Sequence, residues 1–352
     1  MGKKIVVGMS GGVDSSVAAY LLKKEGYEVI GVSMQMWCPK GAEDTHDVTK
    51  DAKRVAEQLG IGFQTLDFQT EFRHAVMDYF AGEYLLGRTP NPCIVCNRLI
   101  KWEALLNRAK ELGAAEIATG HYARILRLDN GRYAVSRAQS AAKDQTYALY
   151  RLTQEQLQHT RMPLGNYEKD TIREIAKEIG LSVAEKKDSQ EICFIPDHDY
   201  ASFIKKHTGA ECIPGDFVST SGERMGTHAG IIHYTVGQRK GLGAFGHPVF
   251  VKEIRPQTNE VVLGSTDEVF ARELVCDALN CMAVEHFNER DEVIAKIRYS
   301  HKGAPCILHP YGEDKLRVEF MEPQRAITPG QAVVFYRGDV VLGGGTICGG
   351  LG

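Results

Sequence analysis

Lys4-Ile5-Val6-Val7-Gly8-Met9-Ser10-Gly11-Gly12-Val13-Asp14-Ser15-Ser16 reads as a strand, a glycine turn and the first turn of a helix. Lys4 to Met9 is a short, fully buried strand in this reading. Ser15 to Lys24 carries Val17, Leu21 and Leu22 at helical spacing, with Gly26 as the stop. Glycines between strand and helix let backbone N–H groups close on an anion, and the helix N-terminus adds partial positive charge. Ser10 to Ser16 therefore reads as a phosphate cradle. It lacks the Gly-Lys-Ser/Thr ending of a Walker loop and the G-x-G-x-x-G of a dinucleotide fold. Without that lysine, attack on a γ-phosphate loses ground. The plainer alternative is a glycine turn with no ligand. The position at the first strand-to-helix crossing, where open α/β sheets bind ligands, speaks against it.

A length of 352 residues suits two or three domains, and outward from this loop strand-like and helix-like segments alternate over roughly the first 200 residues. Glu28 to Met34 and Gly62 to Phe68 read as strands. Val48 to Leu59 is an amphipathic helix stopped by Gly60. Phe72 to Leu86, Trp102 to Leu112 and Thr171 to Ile179 read as helices, and Glu116 to Thr119 as a short strand ending in Gly120-His121. This order predicts an α/β fold with a doubly wound parallel sheet, ligands lying at the carboxyl ends of its strands. After about residue 205 the texture changes to short apolar runs between glycine-bearing turns. Phe217-Val218, Ile231 to Thr235, Val249 to Ile254 and Val261 to Leu263 are strand candidates. Val293 to Tyr299, Leu316 to Phe320 and Ala332 to Tyr336 continue the pattern, as in a small β-barrel. The glycines at 343–345 and 349–352 read as a final strand plus a flexible tail. The expected division is 1–204, a catalytic α/β domain; 205–270, a small β-rich domain; and 271–352, a barrel.

Composition excludes several classes. No apolar run is long enough to span a membrane, and the N-terminus enters a core strand at once, which argues against a signal peptide. Nine cysteines scattered over 352 residues are not a disulfide framework. They suit a reducing, cytoplasmic compartment where a disulfide is transient. A net charge of −3 requires any nucleic-acid surface to be local.

Two cysteine sites stand out. Asn91-Pro92-Cys93-Ile94-Val95-Cys96-Asn97 holds a C-x-x-C, and Cys193 ends Asp188-Ser189-Gln190-Glu191-Ile192-Cys193. A structural zinc site needs a second pair, and Cys276/Cys281 has the wrong spacing. Spacing alone does not join Cys96 to Cys193. On spacing alone, two inert core cysteines are the favoured reading.

The S-G-G-x-D-S form resembles the pyrophosphate loop of enzymes that split ATP into AMP and pyrophosphate while activating a carbonyl oxygen. Further motifs follow in order: Gly87-Arg88-Thr89-Pro90-Asn91-Pro92-Cys93-Ile94-Val95-Cys96-Asn97, Ala118 to Arg124, Lys143-Asp144-Gln145-Thr146-Tyr147, Asp188 to Phe194 and Gly237-Gln238-Arg239-Lys240-Gly241. Together they resemble the bacterial and organellar tRNA-specific 2-thiouridylase family, from the first strand to the barrel.

The resemblance implies ATP binding by Gly8, Met9, Ser10, Gly11, Gly12, Val13, Asp14 and Ser15, with Met34 and Gly120 flanking the adenosine. It implies Asn91, Pro92 and Cys93 beside the target base, and His121, Lys143, Asp144, Gln145, Arg298, Tyr299 and Gln331 on tRNA. Cys96 would be the nucleophile and Cys193 the persulfide carrier, both partly accessible and electropositive in setting. Asp14 would suit Mg2+, which favours carboxylate and phosphate oxygens. The other implied partners are a persulfide-donating protein and the anticodon region of tRNA, with the enzyme a monomer. Many family members carry aspartate where this chain has Cys93. That cysteine could be a spare thiol, a resolving partner, or a ligand of an iron–sulfur cluster with Cys96 and Cys193. Tyr122 or Phe194 could stack on the base, although Phe194 suits a core better. The competing readings are a synthetase of the same ATP chemistry acting on a small molecule, and a sulfonucleotide-type reductase.

Overall fold

In this computed structural model residues 3–37, 48–186 and 192–351 are described. Lys187, Asp188 to Glu191 and Gly352 lie outside them. Two compact units emerge.

The first unit spans Met1–Val76, Cys93–Gln190 and Gly338–Val341. Its sheet contains β1 (Lys4–Gly8), β2 (Glu28–Gln35), β3 (Gly62–Asp67), β4 (Glu116–Ala118) and β7 (Thr160–Arg161), ordered β3-β2-β1-β4-β7 and parallel throughout. Ile5, Val6 and Val7 are fully buried, as strands covered on both faces must be. The chain leaves β1 toward β2 on one side and returns through β4 on the other. The switch point of the doubly wound sheet therefore lies at the carboxyl ends of β1 and β4. The helix Val13–Lys24 buries Val13, Val17, Ala18, Leu21 and Leu22, and the helix Lys169–Glu178 packs on it through Ile172 and Ala176.

The sequence reading passed over one element here, a hairpin of β5 (Ala123–Arg127) and β6 (Tyr133–Arg137), antiparallel and closed over Asn130-Gly131. Asn-Gly between short strands is a hairpin signal, with glycine here at φ +81°.

The second unit spans Met77–Pro92, Glu191–Arg337 and Leu342–Gly352. The strands β8 (Gly215–Ser219), β9 (Arg224–His228), β10 (Phe250–Arg255) and β11 (Glu260–Gly264) form a sheet ordered β10-β11-β8-β9 around Phe217, Tyr234, Val251, Val261 and Leu263. The predicted strand at Ile231 to Thr235 is instead a tight 3-10 turn at Ile231–His233. Its N–H groups go inward, His233 to the Gly230 carbonyl and Tyr234 to that of Ile231, so no ladder forms. A barrel follows from β12 (Phe270–Cys281), β13 (Asp291–Lys296), β14 (Ala304–Pro310), β15 (Leu316–Arg325), β16 (Ala332–Arg337) and β17 (Val340–Leu351). The order β12-β15-β14-β13-β16-β17 closes through β12–β17 pairing.

Gly349 to Leu351 of the expected flexible tail belong to β17. Earlier in that strand Gly343 and Gly345 stand where β12 crosses too close for side chains. A Cβ on Gly343 would sit 2.1 Å from the Asn280 carbonyl oxygen, and one on Gly345 would sit 2.7 Å from that of Asp277. A helix at Tyr200–Thr208, capped by the Asp199 carboxylate on the Ser202 N–H and ended by Gly209, also went unread.

Candidate functional site

The loop after β1 is built by its own small residues. Gly11 takes φ +65°, which favours glycine, and Gly12 caps the helix in extended conformation with no side chain. That leaves the first helical N–H groups to an anion. The Ser15 hydroxyl accepts from the Ser10 N–H at 3.1 Å, and the Ser16 hydroxyl donates to the Gly12 carbonyl at 2.7 Å, so the turn is pinned from inside. Met9 and Val13 are core residues at 2 % and 4 % exposure, and only their backbone can serve a ligand.

The ends of three strands converge on this loop. A Cβ on Gly8 would lie 3.7 Å from Met34 Cε and 3.8 Å from the Ala118 carbonyl oxygen. Gly120 approaches the helix start so closely that a Cβ would fall 2.6 Å from the Ser15 nitrogen and 2.7 Å from the Asp14 carbonyl carbon. Gly8, Ser10 to Ser15, Met34 and Gly120 thus share one crevice rim.

Asp14 is the electrostatic centre. Lys169 Nζ lies 2.7 and 2.8 Å from its two carboxylate oxygens, and the Tyr122 hydroxyl donates to Oδ1 at 2.8 Å. Lys169 is buried, with its ammonium 5.6 Å from the Tyr122 ring centroid. Tyr122 is in turn held by Gln145: its N–H donates to Gln145 Oε1 at 2.9 Å and its carbonyl accepts from the Gln145 N–H at 3.1 Å. At 3 % exposure Tyr122 belongs to this network, which corrects the expectation that it could stack on a base. Lys186 Nζ reaches the Gly11 carbonyl at 3.0 Å and Asp51 at 2.8 Å. The sequence reading missed Lys169.

A carboxylate at a helix N-terminus beside a phosphate cradle fits a hard cation shared with phosphate oxygens. Because Lys169 covers both oxygens of Asp14, a cation reaching Asp14 competes with that ammonium. Among the described residues no three His, Cys, Asp or Glu side chains gather to hold a metal ion.

His121 sits on the Trp102 ring, centroids 5.1 Å apart, with Nδ1 3.0 Å from the Thr119 hydroxyl. Burial pushes its imidazole down to about 3, and the Lys101 charge adds to the shift. His121 is therefore neutral at pH 7. Asp144 accepts from the Thr146 hydroxyl at 2.8 Å, and Lys143 ends the short turn Ala141–Lys143.

Pro92 opens the helix Pro92–Cys96, a position that its missing N–H favours, and the chain runs on through π-type turns at Asn97–Ala104. Cys93 is exposed. Cys96 is buried at 6 %, its sulfur 3.8 Å from Met36 Sδ, contrary to the expected partial access: the helix turns it inward toward Met36.

The remaining candidates lie in the second unit. Cys193 is exposed, and its neighbour Phe194 is 2 % exposed, edge-on to Phe80 at 5.5 Å and near Phe203 at 5.1 Å, a core residue as the sequence favours. Arg298 donates to the Arg325 carbonyl at 3.0 Å, and Tyr299 is exposed. Gln331 Nε2 donates to the Thr89 carbonyl at 2.7 Å.

Comparison with known proteins bears on this arrangement. Residues 3–197 match the family described as the tRNA methyl transferase HUP domain, residues 201–265 its PRC-barrel domain, and residues 271–347 the aminomethyltransferase beta-barrel domain. The chain is 59% identical to the tRNA-specific 2-thiouridylase MnmA of Lachnoclostridium phytofermentans, over 98% of this chain and 99% of that one. It is 51% identical to the protein of that name from Clostridioides difficile, over 99% and 98% of the two chains. The Carboxydothermus hydrogenoformans protein of that name is 52% identical, over 98% and 97%.

Proposed function

The chain belongs to the tRNA-specific 2-thiouridylase family, and from that premise we propose that it exchanges O2 of the wobble uridine of tRNA for sulfur, converting ATP to AMP and pyrophosphate. The observation that carries this reading is identity of 59% over 98% of the chain, which takes in the phosphate loop, both cysteine segments and the barrel.

Uracil O2 is a poor leaving group. It attacks the α-phosphorus of ATP, pyrophosphate departs, and C2 then bears AMP. Backbone N–H groups of Ser10 to Ser15 hold the phosphates, and Met34 and Gly120 flank the adenosine. Asp14, once free of the Lys169 ammonium, would hold magnesium, which would supply charge neutralisation at the phosphates. The terminal sulfur of a Cys193 persulfide attacks C2, and AMP leaves with the former O2. The Cys96 thiolate then attacks the Cys193 sulfur. The S–S electron pair stays on the sulfur at C2, completing the thiocarbonyl and leaving a Cys96–Cys193 disulfide. An external thiol reduces that disulfide, and a donor protein reloads Cys193. This route uses two cysteines and no cluster. Asn91, Pro92 and Cys93 face the target base, while His121, Lys143, Asp144, Gln145, Arg298 and Tyr299 engage tRNA around it; Gln331, which the resemblance places on tRNA, is read below as a support of the target-base loop. The working modules are 1–204, 205–270 and 271–352. The enzyme acts as a monomer, in the cytoplasm, where persulfides survive beside reductant.

The test is nucleoside mass spectrometry of tRNA incubated with the protein, ATP, Mg2+ and a persulfide donor. The expected product is 2-thiouridine at the wobble position, with AMP and pyrophosphate appearing only when tRNA is present. Equal AMP release without tRNA overturns the reading in favour of a small-molecule synthetase.

A further inference from the structure

We propose that Gln331 is a positioning residue that acts through Thr89, and that the two β modules brace the loop carrying Asn91 and Pro92. This rests on the reading above, in which that loop faces the target base.

Every polar group of Thr89 is taken by a residue far along the chain. Its N–H donates to the Pro329 carbonyl at 2.9 Å, its carbonyl accepts from Gln331 Nε2 at 2.7 Å, and its hydroxyl donates to Thr235 Oγ1 at 3.2 Å. Backbone groups in a loop must find partners or water. Here the partners come from the barrel and from the turn that follows Ile231–His233.

Glycines mark the grip on both sides. Gly330, at φ +87°, lies so near that a Cβ would stand 3.0 Å from both Arg88 Cβ and the Thr89 nitrogen. Gly87, at φ +68°, would put a Cβ 2.9 Å from Ile254 Cγ2 and 3.0 Å from Pro256 Cγ. The grip is itself fixed, since the Gly330 N–H donates to the Ile347 carbonyl at 2.9 Å and the Ile347 N–H to that of Gln331 at 2.8 Å. Arg88, between them, is tied to Glu83 through Nε at 2.8 Å. The Gln331 amide nitrogen is directed at the loop backbone, and the residue acts by fixing where Asn91 begins.

The experiment compares the full-length protein with Gln331→Leu and Thr235→Val. It reads thiolation kcat at saturating tRNA, tRNA Kd, and hydrogen exchange at the Thr89 amide. In Gln331→Leu, kcat falls about tenfold, as misplacement of a distant support does, while tRNA Kd stays within about twofold and the Thr89 amide exchanges faster. Thr235→Val, nearly isosteric and remote from the barrel, shifts kcat and exchange in the same direction by about threefold, and stands as the test if Gln331→Leu fails to fold. A raised Kd with kcat and Thr89 protection unchanged makes Gln331 an RNA contact and overturns the proposal, as does no change in any readout. If the unaltered protein makes no 2-thiouridine, the functional reading has failed, while Thr89 exchange still decides the brace.

Discussion

Lys169 stands 155 positions after Asp14 and still sets its ammonium within 2.8 Å of both carboxylate oxygens. Removing one partner of a buried pair strands the other charge, at about 3–5 kcal/mol when burial is complete. The Asp14 side chain is 29% exposed, so water takes up part of the loss and Lys169→Met costs about 1–3 kcal/mol. Urea unfolding measures it. Asp14→Asn with Lys169→Met restores at least half of that stability, while tRNA-dependent pyrophosphate release stays about tenfold or more below normal. A wild-type unfolding midpoint for Lys169→Met alone is the contrary result.

Gly120→Ala brings a methyl group against backbone atoms of Ser15 and Asp14. Neither can swing away as a side chain would, so the chain after β4 must retreat. Such overpacking costs about 1–3 kcal/mol. Displacement of the crevice rim by about 1 Å lowers pyrophosphate release roughly a hundredfold. Steady-state assay with saturating tRNA reads the second effect, and unaltered turnover contradicts the rim assignment.

The cysteines separate the two halves of the reaction. Alanine at Cys96 or Cys193 abolishes 2-thiouridine formation and leaves part of the pyrophosphate release. Full turnover by Cys193→Ala removes the persulfide role from that residue.

His121 gives a pH signature. Its folded pKa, about 3, lies below the unfolded value near 6.5. As pH falls below 6.5 the unfolded chain takes up a proton that the folded chain refuses, so this stability is intact above 6.5 and drains away toward pH 3. His121→Gln lacks the effect. Melting temperatures at pH 7 and pH 5 should differ more for the unaltered protein than for the variant; equal differences would falsify the assignment.

Binding of tRNA weakens steeply as salt rises, because phosphate neutralisation releases counterions. Fluorescence anisotropy over a salt series reads the slope, and a flat response contradicts a phosphate-contacting surface.

What could be read in advance was local. The apolar run Ile5-Val6-Val7, the glycines behind it and the spacing of Val17, Leu21 and Leu22 each act within a few residues, and the central strand, loop and helix formed as expected. Lys169 was illegible because it sits between Glu168 and Asp170 in a polar stretch, and only the packing of its helix carries it to Asp14. The inward turn of Cys96 and the Gln331–Thr89 bond have the same origin: a distant element, absent from any window of sequence, decides where the side chain ends. The hairpin turn at Asn130-Gly131 and the Asp199 and Gly209 caps were legible signals that went unread.

Cys96 is buried whereas Cys93 and Cys193 are exposed, and the difference has a chemical consequence outside the reaction itself. Peroxide and electrophiles attack thiols that they can reach, and oxidation past the sulfenic stage is irreversible for most proteins. An alkylating reagent met in solution reaches the exposed Cys93, Cys193 and Cys348 before the buried Cys96. The fold thus shelters Cys96 from oxidative wear, and on the proposed route inactivation by such reagents begins at Cys193.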